Sequence, residues 1–128
     1  MGSPAAKKGD KIVAQDMHNI QPPGTSPPVL TPHPFTGIIN GGLSSNVNIM
    51  GMPAATVNST AKNTPAHLPI GGTFVSPPTN QGTIIAGSGT VNINGNAAAR
   101  NGDTAKTCND PTDVPGGSVV AVGTVNIG

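Results

Sequence analysis

"VNINGNAAARNGD" (residues 91–103) and "VNIMGMPAATVNS" (residues 47–59) are two versions of one phrase, set 44 residues apart. Each has Val-Asn-Ile, three spacer residues, a tetrad rich in small side chains and, one residue on, a turn-forming pair. Self-similarity of this kind decides the architecture before any single segment does. The tetrad occurs a third time, as "PAAKKGD" (4–10), and a third Val-Asn-Ile stands at 125–127. The third tetrad copy has Ala97 where the others have Pro, and the second has Asn58-Ser59 where the others have Gly-Asp, all of them turn residues. Joined end to start, the chain would read "VNIG-MGSPAAK", a third repeat divided between the termini. Neighbouring termini and approximate threefold symmetry are therefore expected. A pseudo-threefold monomer has the symmetry to cap a true trimer.

The 128 residues suit one domain, expected to span 1–128 with no fused effector domain. Charged residues are only 9% of the chain, against roughly 25% in ordinary domains. There is no Glu, Trp or Tyr, and Phe35 and Phe74 are the only aromatic residues apart from histidine. Leu occurs three times while Ile and Val together occur 21 times, which favours pleated surfaces over helix. Gly and Pro, 18 + 14 = 32 residues, reach the level at which disorder must be considered. A formal net charge of +1 lacks the self-repulsion that usually accompanies disorder. The composition thus predicts short strands, tight turns, little or no helix and a thin core. Thin cores need a disulfide, a metal or a partner surface. A single cysteine, Cys108, leaves metal and partner.

"MGSPAAKKGD" carries no apolar run after its lysines, so no signal peptide is expected. No apolar run approaches the roughly 18 residues of a membrane span. Within the repeat, Val47/Ile49 and Val91/Ile93 alternate with asparagines, as strands do. Segments 36–49 and 82–93 read as hairpins turning at glycine clusters, and 118–128 as a final extended run. The proline-rich stretches 21–35 and 75–82 lack periodicity; stiff, extended chain on a surface is preferred to flexible loop.

Several chemistries are excluded. "GSGT" (87–90) leads into a strand pattern, with no helix N-terminus to hold a phosphate, and reads as a turn. No local signature pairs Cys108 with a catalytic histidine. Six basic residues without stacking aromatics do not make a nucleic-acid surface. Asn58-Ser59-Thr60 matches a glycosylation pattern by chance. What is left is His18, His33, His67 and Cys108, all the histidines and the one thiol. Three imidazoles and a thiolate would fill a tetrahedral zinc shell, closed and hence structural. Their long spacing leaves scattered surface histidines as the alternative. The repeat favours the metal: His18 lies eight residues after Asp10, and His67 eight after Ser59, the equivalent position. Cys108 follows Asp103 by five.

Three Pro-Ala-Ala-Arg-like tetrads, two of them followed by Gly-Asp, resemble the PAAR-repeat proteins, which form the pointed tip on the spike of type VI secretion systems and related phage-tail-like contractile injection machines. The resemblance implies a small β-rich cone seated on a trimeric, VgrG-like or phage-spike-like β-helical protein, one cap per trimer, and its broad face is expected to carry apolar residues of the Val-Asn-Ile strands, Ile49 and Ile93 among them, and of the Ala-rich tetrads. It also implies a zinc ion near the point, carried onto His18, His33, His67 and Cys108, with no enzymatic role. Effectors or adaptors, and transient contact with a target membrane, are the further partners implied. A protein of this kind would be a monomer in isolation, made in the bacterial cytoplasm and delivered outside the cell. Only Arg100 supplies the family's arginine; Lys7 and Thr56 stand in its place elsewhere. A metal-free β-solenoid or adhesin-like structural module is the alternative. A zinc hydrolase would need an open coordination position and a general base, and the chain has no Glu.

Overall fold

The computed structural model describes residues 2–128. Its strands are β1 (Ser3–Pro4), β2 (Lys11–Gln21), β3 (Val29–Gly41), β4 (Asn48–Ile49), β5 (Met52–Pro53), β6 (Thr60–Asn63), β7 (Thr73–Phe74), β8 (Gln81–Ile84), β9 (Asn92–Ile93), β10 (Asn96–Ala97), β11 (Thr104–Thr107), β12 (Val114–Val120) and β13 (Asn126–Ile127). No helix forms among the described residues, and the fold is all-β.

Each tetrad is followed by a tight turn and then by two barrel strands. The turn residues Gly9, Asn58 and Gly102 have φ of 93°, 80° and 89°, a conformation open to Gly and Asn but costly for other residues. The strands run β12-β11-β8-β6-β3-β2, and β2 pairs back onto β12 through Val13↔Ser118, closing a six-stranded barrel; β7 is added outside on β2. Closure removes the sheet edges that would otherwise invite aggregation. Alternation fills the interior. Ile12, Ala61 and Ala105 occupy equivalent places after the turns, as do Ile39, Ile84 and Val119, and all six are buried.

The threefold relation is carried by backbone. Ala6 N–H donates to Ala99 C=O (3.0 Å), Ala99 N–H to Ala55 C=O (3.1 Å), and Ala55 N–H to Ala6 C=O (3.0 Å). This ring closes on itself through side chains no larger than methyl, all 0% exposed. Larger residues would hold the three backbones apart, which is why each tetrad is built on small residues. Below the ring, Ala5, Ala54 and Ala98 pack with Ile49, Ile93 and Ile127 into a second apolar cluster.

Val-Asn-Ile forms one arm of a short hairpin in each repeat. β4 pairs with β5 around Met50-Gly51 (φ 52° and 83°), and β9 with β10 around Asn94-Gly95 (φ 53° and 84°). Positive φ at both central positions is the type I′ geometry that matches strand twist. The third hairpin is split: β13 pairs with β1 through Ile127↔Ser3, so the chain's two ends are adjacent as the repeat predicts.

Three sequence expectations are corrected. Segments 36–49 and 82–93 are not hairpins, because β3 and β8 belong to the barrel while β4 and β9 pair forward with β5 and β10. The run 118–128 is broken between β12 and β13, since its halves serve the barrel and the split hairpin. Ile49 and Ile93 are buried in the protein's own cluster rather than presented on a face. The proline-rich stretch divides: residues 22–28 are loop, whereas 29–35 is strand. Met17 N–H donates to Asn109 Oδ1 and Thr36 N–H to Asn63 Oδ1, which fixes the ladder's phase. In that phase the nitrogens of Pro32 and Pro34 point away from β2, so no ladder bond is lost.

At 11 and 13 residues, β2 and β3 outrun the other barrel strands, which have four to seven. Past the barrel the molecule therefore narrows to this hairpin and β7.

Candidate metal centre

The face of β2 that carries Ile12 into the barrel also carries Asp16, His18 and Ile20, because successive even positions point the same way. Asp16 faces His33 directly across the β2–β3 ladder. His67 comes from the chain after β6; its backbone N–H donates to Asn80 Oδ1 at 2.7 Å. Cys108 immediately follows β11. All three repeats thus contribute, eight residues (about 26 Å of strand) from the Asp10 turn along β2.

His18, His67 and Cys108 come together with a residue the sequence did not single out, Asp16; one donor atom from each of the four lies within 4.8 Å of every other. His33 stands beside this set, its ring centroid 5.6 Å from that of His18 and 5.7 Å from that of His67, while His18 and His67 are 5.1 Å apart. All five side chains are buried. Both phenylalanines wall the cluster: Phe74 lies 5.7 Å from the His18 ring and 5.4 Å from His33, and Phe35 lies 6.0 Å from His67. Asp16 was legible in principle. It sits two residues before His18, in phase with buried Ile12 and Ile20, but nothing in an isolated Asp-x-His distinguishes a buried carboxylate from a surface one.

The polar atoms are unevenly satisfied. His33 Nδ1 lies 2.9 Å from Thr31 C=O, so it carries the proton and donates it; its Nε2, bearing the lone pair, is buried without a hydrogen-bond partner among the described residues, as is His18 Nδ1, which lies 3.6 Å from Asp110 Oδ2. Native interiors rarely leave such groups alone unless an unseen ion or water completes them. Cys108 Sγ is 3.6 Å from His18 Nε2 and 3.2 Å from Asp16 Oδ2. Burial, reinforced by hydrogen bonding to Asp16, pushes the Cys108 thiol up to about 12, so without a cation the sulfur keeps its proton. Burial likewise lowers the pKa of His18 against the opposing pull of Asp110, holding it neutral at pH 7 as a ligand must be.

The donor set fits a metal. Three imidazoles sharing one tetrahedral ion at about 2.0–2.1 Å would hold their ring centroids roughly 5 Å apart, close to the observed spacings. Two clefts reach the cluster: one of about 330 Å³, beside His33, Asn63, His67 and Leu68, and one of about 310 Å³, beside His18, Pro77, Cys108 and Asp110.

The PAAR motif, as defined by its family, matches residues 30–107, 78 of the 128 residues. The chain belongs to the PAAR-motif family. The match takes in the second and third tetrads, His33 and His67, and the alanine ring extends the same pattern to the first tetrad. PAAR proteins are structural spike-tip proteins of contractile injection systems. No curated protein matches this chain closely enough to count as a relative.

Proposed function

We propose that this PAAR protein caps the trimeric β-helical spike of a contractile injection machine, one cap per three spike chains, and sharpens it for membrane puncture and effector delivery. The closed ring of Ala6, Ala55 and Ala99 backbone bonds carries this reading, because it gives a single chain the threefold axis that a trimer's end presents. The cap would be assembled in the bacterial cytoplasm and leave the cell on the machine.

The capping face lies at the hairpin end. Exposed apolar side chains there, Met50, Met52 and Val125, are available for burial against the spike's open end. A structural zinc ion held by His18, His33, His67 and Cys108 would tie segments of all three repeats together at the opposite end, where little apolar volume is left. Its binding free energy would become folding free energy.

Co-expression with a trimeric spike protein tests the proposal. One cap should co-purify with three spike chains, and Met52→Asp should weaken the complex without unfolding the cap, since Met52 is 37% exposed. Failure to bind any spike, together with assembly of the isolated chain into its own stable homotrimer, would instead support a solenoid-like or adhesin-like module.

A further inference from the structure

Asp16 is 0% exposed, and among the described residues no lysine or arginine pairs with it and its one ionic contact is His67 Nε2 at 2.8 Å. Three neighbours hydrogen-bond its two oxygens. Thr107 Oγ1 donates to Oδ1 and Cys108 S–H to Oδ2. Asn63 Oδ1 accepts Thr36 N–H, which turns the Asn63 amide nitrogen toward His67 Nδ1 (3.2 Å) and leaves the imidazole proton on Nε2, aimed at Asp16. His67 Nε2–H against Oδ2 and the Thr107 hydroxyl against Oδ1 give both oxygens a donor, the setting a carboxylate needs. A buried carboxylate without a fixed cation is costly unless some cation completes it.

The charge count identifies that cation. A divalent metal with three neutral imidazoles and one thiolate carries +2 − 1 = +1, itself unfavourable in a buried site walled by Phe35 and Phe74. Asp110, 3.6 Å from His18 Nδ1, is partly exposed at the rim of the cluster and hydrogen-bonded to Asn19 N–H; within the fully buried set, adding the Asp16 carboxylate brings the sum to zero. A monovalent ion would leave −1 and a trivalent ion +1. We propose that Asp16 is the charge-balancing residue of the metal centre, a fifth member that matches the cluster to a divalent cation. This rests on the metal reading above and deepens it.

Zinc affinity by chelator competition, and the thiolate-to-metal charge-transfer band of the cobalt(II)-loaded protein, should be measured for wild type, Asp16→Asn and Thr107→Val. Asp16→Asn should still bind one metal but 10- to 100-fold more weakly, with a shifted cobalt band. Thr107→Val, which keeps the charge and loses the hydroxyl's hydrogen bonds to Asp16 and Asn109, should stay near wild type. Equal affinity and an unchanged band in Asp16→Asn would overturn the proposal, as would an equal loss in both variants, which would make Asp16 merely a hydrogen-bonding anchor. A wild-type chain that takes up no metal would overturn the zinc reading underneath. Should Asp16→Asn not fold, wild-type protein with carboxyl-¹³C aspartate decides: one buried aspartate signal must move on zinc loading, and five unmoved signals would refute the idea.

Discussion

Without a cation the buried imidazoles and thiol leave donor atoms unused. Among the described residues His18 and His33 each keep a nitrogen without a hydrogen-bond partner, and the Cys108 sulfur is held protonated by burial. Cys108→Ser should therefore lower zinc affinity by on the order of 100-fold or more and reduce the melting temperature of the loaded protein, read by chelator competition and calorimetry. The metal-stripped protein should be acid-labile for a second reason. The folded-state pKa of His18 is depressed below 6.5 by burial, so its contribution to stability is fully present above about pH 6.5 and is lost as pH falls through the lowered value. Urea midpoints of chelated protein should fall on acidification below pH 6.5; a flat profile there would contradict the assignment.

At the scale of elements, the three turns solve one problem in two chemistries. In the first repeat Asp10 Oδ2 accepts Lys7 N–H (3.0 Å), and Lys7 Nζ reaches Val122 C=O (2.8 Å). In the third, Asp103 Oδ2 accepts Arg100 N–H (2.7 Å), and the Arg100 guanidinium donates to Gly87 C=O (3.3 Å). The second uses one hydroxyl for both tasks: Ser59 Oγ accepts Thr56 N–H (2.9 Å) and donates to Gly42 C=O (2.8 Å). Ser59→Asp alone would bury a charge without a cation and should cost several kcal/mol, whereas Thr56→Arg/Ser59→Asp should recover most of that loss in denaturant titrations. Pro4 and Pro53 occupy the ladder position that Ala97 holds in the third repeat, opposite Asn126, Asn48 and Asn92. No N–H is needed there, so Ala97→Pro should stabilise by about 0.4–1 kcal/mol through the unfolded chain.

For the whole molecule, the divided hairpin makes the chain's ends equivalent to two continuous turns. Linking Gly128 to Gly2, with Met1 removed, would place two glycines where Met50-Gly51 and Asn94-Gly95 turn at positive φ. New ends opened between Asn94 and Gly95 should then give a permutant with the same barrel, the same metal stoichiometry and a melting temperature within a few degrees of the parent. A permutant that is molten by near-ultraviolet spectroscopy would show that the order of the repeats, and not only their contacts, is needed. The molecule has two differently held ends: a threefold alanine ring with a satellite cluster at one, and a polar five-residue cluster at the other.

The repeat was legible because small residues, turn residues and Val-Asn-Ile recur in fixed order, and each has a local reason to be where it is. Those local reasons gave the all-β class, the threefold relation and the meeting of the termini. The histidines and the cysteine were legible as a set because the chain has so few other ligands. Pairing partners were not legible: β3 and β4 are joined by the segment that suggested a hairpin, yet each satisfies its backbone elsewhere, and only barrel closure decides where. Nor could the sequence bury Asp16, since an aspartate on a strand ordinarily faces water. It faces inward because β2 must keep Ile12 and Ile20 inside, and strand alternation carries every even position between them to the same side.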